Sequence, residues 1–89
     1  MEFEFDQNKS QSNKIKHGID FIEAQQLWSD DNRLEIPARI LDEPRVVMLG
    51  KIRTKVWAAV ITSRGDKTRI ISVRRARKQE VALYEGRRI

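Results

Sequence analysis

The sequence predicts an α+β fold with helices packed on a mostly antiparallel sheet, and three observations predict it. Apolar runs that alternate with polar residues, or are apolar on both faces, recur between Phe3 and Val73 and mark strands. Tight turns join the last three runs into a meander. Segments with helical spacing and capping residues precede the meander and follow it.

Taken in order, Phe3 and Phe5 alternate with Glu2, Glu4 and Asp6, which reads as a short strand with one buried face. A polar helix follows, capped by Asp6 or Asn8, with Ile15 as its only large apolar residue and Gly18 after His17 as its stop. The next helix is firmer. Asp20 and Glu23 form a capping box, Ile19 and Ala24 a staple, and Phe21, Ala24, Leu27 and Trp28 an apolar stripe that ends near Ser29. From Arg33 the period turns alternating: Leu34 and Ile36 flank Glu35 in a strand that Pro37 is expected to stop. Residues 45–52 and 55–63 are apolar on both faces, as in central strands, and Arg53-Thr54 joins them as a hairpin. A turn over residues 63–67 returns the chain into Thr68 to Val73. The segment from about Ala76 to Glu85 has helical spacing, and Gly86 stops it.

A chain of 89 residues holds one domain, 1–89, with one modest core. It contains no cysteine, so neither a disulfide framework nor a thiolate nucleophile is available. Membrane insertion is not expected, because no apolar run approaches the roughly 20 residues that span a bilayer. The acidic N-terminus lacks the pattern of a signal peptide, and a cytoplasmic location is expected.

The net charge of +5 hides a division. Residues 1–44 hold five Lys/Arg against ten Asp/Glu, whereas residues 45–89 hold thirteen against three, and nine of those thirteen are arginine. Arginine's planar fork suits phosphate better than solubility alone requires, so the second half points to a polyanion. The densest charge lies where the last strand meets the closing helix: Arg74, Arg75, Arg77 and Lys78. These side chains are expected to converge on one edge of the sheet and line a concave rim, where a bound phosphate offsets their repulsion.

The residues also resemble a known family, the BrnT-type toxins of bacterial type II toxin-antitoxin systems. The resemblance runs through Phe3-Glu4-Phe5-Asp6, Lys9, Asn13, Lys16-His17-Gly18 and Phe21 to Ala24, and on to Arg69 to Ala76, Glu80 and Tyr84. Phe5 stands where the family usually has tryptophan and Val73 where it usually has alanine. The resemblance implies a RelE-like small ribonuclease that cuts RNA and arrests translation, neutralised by a ribbon-helix-helix antitoxin of the BrnA type. It further implies two toxins seated on an antitoxin dimer, with operator DNA bound only through the antitoxin.

The residue inventory is compatible with such chemistry. One histidine and no cysteine make a protein-only zinc site unexpected, and no phosphate-loop motif is present, so metal-free chemistry without a cofactor is expected. RNA carries its own nucleophile, the 2′-hydroxyl, so the protein must move protons and stabilise the phosphate. Histidine is the side-chain type whose unperturbed pKa lies near neutrality, and the one histidine, His17, sits at an expected helix end; it either transfers a proton or simply complements the helix dipole. Arg77, Glu80 and Tyr84 share one helical stripe, either as part of the site or as a surface ion pair with a tyrosine lid on the core. The expected catalytic set is His17, Arg74, Glu80 and Tyr84, and Lys9, Lys16, Arg64, Arg75 and Arg77 are candidate RNA contacts. Arg74 and Arg75, successive in a strand, face opposite surfaces: Arg74 is expected at the phosphate, Arg75 on the RNA backbone elsewhere or on an acidic antitoxin residue.

Most of the six aromatics, Phe3, Phe5, Phe21, Trp28, Trp57 and Tyr84, sit at core-like periodic positions, so stacking is expected from at most a single residue and phosphate contacts are expected to dominate affinity. The alternative from another class is a noncatalytic basic module that binds nucleic acid or protein with the same arginines. A DNA-binding regulator fits less well, because no helix-turn-helix presents a basic recognition face.

Overall fold

The computed structural model describes residues 1–40 and 43–86; three of the charged residues, Asp42, Arg87 and Arg88, lie outside them. The elements run β1 (Glu2–Glu4), α1 (Gln7–His17), a 3₁₀ helix (Glu23–Ser29), β2 (Leu34–Ile40), β3 (Glu43–Ile52), β4 (Lys55–Arg64), β5 (Lys67–Arg75) and α2 (Lys78–Gly86). The strands form one sheet in the order β1-β5-β4-β3-β2. β1 lies parallel to β5, and the other pairs are antiparallel. This is the expected α+β arrangement.

Helix α1 is built almost without apolar residues, and its ends explain where it starts and stops. The Asp6 carboxylate accepts from Asn8 N at 2.8 Å and Lys9 N at 3.3 Å, and Gly18 closes the helix in the left-handed region at φ 82°. Ile15 is 88% exposed and takes no part in packing. Hydrogen bonds dock the helix instead. Asn13 Nδ2 donates to Ile19 O and Val73 O, each at 2.8 Å, and Asn13 Oδ1 accepts from Val73 N at 3.2 Å. Ser10 Oγ accepts from Phe21 N at 2.9 Å. Both side chains are buried and engaged, which is the condition under which buried polar groups stabilise.

The capping box forms as expected: Asp20 Oδ1 accepts from Glu23 N at 2.7 Å while Glu23 Oε1 accepts from Asp20 N at 2.9 Å. The helix it opens is not the expected α-helix. Its buried residues, Ala24 and Leu27, lie three apart, and Phe21 in the turn before it is buried at the same spacing; three is the repeat of a 3₁₀ helix rather than of 3.6 residues per turn. Leu27 lies against β3, where a Cβ on Gly50 would come within 3.1 Å of Leu27 Cδ2. A side chain at 50 would require Leu27 to give by a few tenths of an ångström.

Pro37 does not stop β2, which continues to Ile40 with Pro37 opposite Val46. β2 is the edge of the sheet, with only one side paired, and a proline is tolerated there. The meander of β3, β4 and β5 is as expected. Its two loops contrast: Gly65 adopts φ 62° without steric cost, whereas Arg53 holds φ 58° with a full side chain. A bulge between Val60 and Ile61 shifts the β4–β5 register.

Each face of the sheet carries its own core. Under α1 and the 3₁₀ helix lie Met48, Ala59, Ile61, Ile70 and Val73 with Phe21, Ala24 and Leu27. On the other face Leu49, Val56 and Ala58 pack with Tyr84 of α2. Phe5 meets Phe21 edge to face at 5.7 Å between ring centres and so supports the α1 face.

Candidate functional site

The junction of β5 and α2 resolves its crowded charge by splitting it between the two faces. Arg74 turns toward α2, where its Nη1 and Nη2 donate to Glu80 Oε1 at 2.7 Å and Oε2 at 2.9 Å. The pair is three-quarters or more buried. Glu80 Oε1 also accepts from Arg77 N at 2.7 Å, capping the first turn of the helix. Bidentate bonding to Arg74, reinforced by that backbone donor, holds the Glu80 carboxyl below the usual glutamate range and the Arg74 guanidinium above its ordinary value. One turn further on, Tyr84 is buried to 1% exposure, and its hydroxyl donates to Asp30 Oδ2 at 2.6 Å. The same oxygen accepts from Lys51 N at 2.8 Å. Asp30 thereby ties α2, β3 and the end of the 3₁₀ helix together.

Arg75 leaves the strand on the α1 face. Its guanidinium carbon lies 5.5 Å from the centre of the Trp57 ring, its direct partner in the β4–β5 register. Trp57 in turn forms a wall of a cleft of about 260 Å³ between the α1 end, the 3₁₀ helix and the β3–β4 hairpin, lined also by Gly18, Glu23, Gln26, Arg53 and Lys55. His17 immediately precedes Gly18. It falls on the stripe of α1 that begins with Ser10 and Asn13, four residues after Asn13, and is half-buried. A second cleft of about 480 Å³ shares Gln26, Ile52 and Arg53 with the first and reaches Asp30 and Tyr84.

The expected site residues therefore divide. Arg74, Glu80 and Tyr84 belong to the α2 face and His17 and Arg75 to the α1 face; the basic residues of the junction do not share one rim, because alternation in β5 sends neighbours to opposite sides. Lys9 and Lys16 are exposed on α1, Arg64 is exposed at the end of β4, and Arg77 is exposed at the start of α2. Sequence reasoning passes over Arg53, Lys55, Gln26 and Asp30, and takes Trp57 as core. One signal is present: a two-residue hairpin loop of Arg-Thr lacks the Asn or Gly that such loops favour. Among the described residues, no group of three or more His, Cys, Asp or Glu could hold a metal ion.

The chain matches the family model for the ribonuclease toxin BrnT of type II toxin-antitoxin systems over residues 5–80 of its 89. It belongs to the BrnT family. As a BrnT toxin it is the ribonuclease component of such a system, with an RNA substrate and an antitoxin partner. Among curated proteins no match is found. The matched stretch contains His17, Trp57, Arg74, Arg75 and Glu80, and it ends before Tyr84. Among the described residues, no helix of this BrnT chain is long and apolar enough to cross a membrane.

Proposed function

We propose that this toxin is a metal-independent endoribonuclease of RelE-like type that cuts RNA, arrests translation and acts in the cytoplasm. The observation that carries the reading is the meeting, at one end of the sheet, of the α1 terminus bearing His17, the Arg75–Trp57 pair and the exposed cations Arg53 and Lys55. The 2′-oxygen of the substrate forms a bond to phosphorus and the bond to the 5′-oxygen breaks. A base takes the 2′-proton and an acid supplies one to the departing oxygen, leaving a 2′,3′-cyclic phosphate and a 5′-hydroxyl. His17 performs one of these transfers, and Arg75 stabilises the charge developing on the phosphate.

Arg74, Glu80 and Tyr84, on the opposite face, hold the fold together and take no part in the chemistry. The ion pair fastens α2 to the end of β5, and Tyr84 anchors α2 through Asp30. Lys9, Lys16, Arg64 and Arg77 are proposed to meet the RNA backbone or the antitoxin. A BrnA-type ribbon-helix-helix antitoxin covers the basic face, two toxins to an antitoxin dimer, and supplies the operator contacts. The test is cleavage by toxin freed of antitoxin, in the presence of a chelator. An RNA with a single 2′-deoxy residue at the cut position should survive, and cyclic phosphate ends should form on the unmodified strand; cleavage of the deoxy strand would refute the mechanism.

A further inference from the structure

We propose that the cleft between the α1 end, the 3₁₀ helix and the β3–β4 hairpin is a nucleotide subsite, in which Arg53 and Lys55 hold a backbone phosphate and Trp57 stacks on the adjoining base. It rests on the ribonuclease reading, and it names where the RNA beside the scissile phosphate lies.

Three independent observations converge on this cleft. First, its volume of about 260 Å³ falls just below the roughly 300–1,000 Å³ usual for small-molecule sites, which suits one nucleoside unit of a longer strand. Second, its wall pairs cations with an aromatic ring. Arg53 and Lys55 are exposed, Trp57 is half-buried, and Arg75 holds the ring from across the strand pair. Stacking on such a ring is worth about 1–3 kcal/mol per base and tolerates any sequence. The acid in the wall, Glu23, does not oppose an anion, since Lys14 Nζ holds it at 2.8 Å. Third, Arg53 sits in the left-handed region at φ 58°, where glycine or asparagine is the usual choice. Strain at a position filled by an exposed arginine marks a residue kept for its side chain rather than for the turn.

Gln26 adds a means of discrimination. It is exposed, it lines both this cleft and its neighbour, and its amide has no hydrogen-bond partner among the described residues. An amide offers a donor and an acceptor to a base edge.

The experiment measures binding apart from cleavage. A fluorescent 12-nucleotide single-stranded RNA is titrated by anisotropy with full-length H17A protein, alone and carrying R53E, K55E or, as a control of equal charge change at the far end of the β4–β5 pair, K67E. R53E and K55E should each weaken binding at least tenfold and reduce the salt slope by about 0.7, the share of one phosphate no longer neutralised. K67E should stay within about threefold and keep the slope. In a W28F background, where Trp57 is the sole tryptophan, RNA should quench the emission. Equal losses from R53E, K55E and K67E, or emission unmoved by saturating RNA, would overturn the subsite. Failure of the ribonuclease reading shows differently: the wild type would then leave RNA uncut whatever these titrations give.

Discussion

Arg75 stacks over Trp57 at 5.5 Å, while its neighbour Arg74 is locked to Glu80 on the other side of the sheet. Two adjacent arginines thus have different roles: one is consumed by an internal ion pair, and the other stays exposed on the face that also carries the exposed Arg53 and Lys55. The density of positive charge at this junction is tolerated because alternation separates it.

Replacing Glu80 by Gln should lower stability by about 1–2 kcal/mol, since the amide offers the Arg74 guanidinium one uncharged acceptor oxygen in place of two that share a negative charge. For a chain of this size that corresponds to a fall in melting temperature of about 4–8 °C per kcal/mol, measured by thermal unfolding.

The same pair sets an acid limit. The Glu80 carboxyl titrates lower in the folded chain than in the unfolded one. Its contribution is therefore fully present above the unfolded glutamate value of about 4.3 and is lost as pH falls through the lower folded value. Denaturant midpoints measured across acid pH should decline for the wild type and decline less for E80Q. An equal decline in both would assign the acid limit to other carboxylates.

Asn13 is the polar rivet of α1. Substitution by Ala leaves Val73 N–H and two carbonyls without their partner, and should cost about 3 kcal/mol. N13D should be as damaging, because a carboxylate cannot donate to either carbonyl. Amide exchange at Val73 reports the loss directly.

Much of the fold is legible in the sequence. Asp6, Gly18 and the Asp20–Glu23 box announce their caps through local chemistry, and alternation marks the meander. Asn13 stands out only as a position shared with the family; its bonds to Val73 span sixty residues of chain and depend on tertiary docking. The Arg75–Trp57 pairing is hidden for a related reason: the bulge at Val60/Ile61 shifts the register, so composition alone does not tell which residue of β4 lies opposite Arg75. Pro37 and the 3₁₀ helix defy the local rules, which yield to edge position and to the three-residue spacing of the buried side chains.

Tyr84→Phe should retain the buried ring and lose the bond to Asp30, destabilising by about 1–2 kcal/mol. If Tyr84 acts only by anchoring α2, the variant should cleave RNA at a wild-type rate well below its melting temperature. His17→Ala, in contrast, should leave the melting temperature unchanged and slow cleavage by about a hundred- to ten-thousandfold.

The most direct measurement compares single-turnover RNA cleavage by R75A and E80Q, each freed of antitoxin and assayed well below its own melting temperature. Catalysis on the α1 face predicts that R75A loses at least a hundredfold in rate with its stability intact, whereas E80Q stays within about threefold of the wild type despite melting earlier. An E80Q protein that is folded but inactive, beside an R75A protein that cuts normally, would move the chemistry to the α2 face and contradict this assignment.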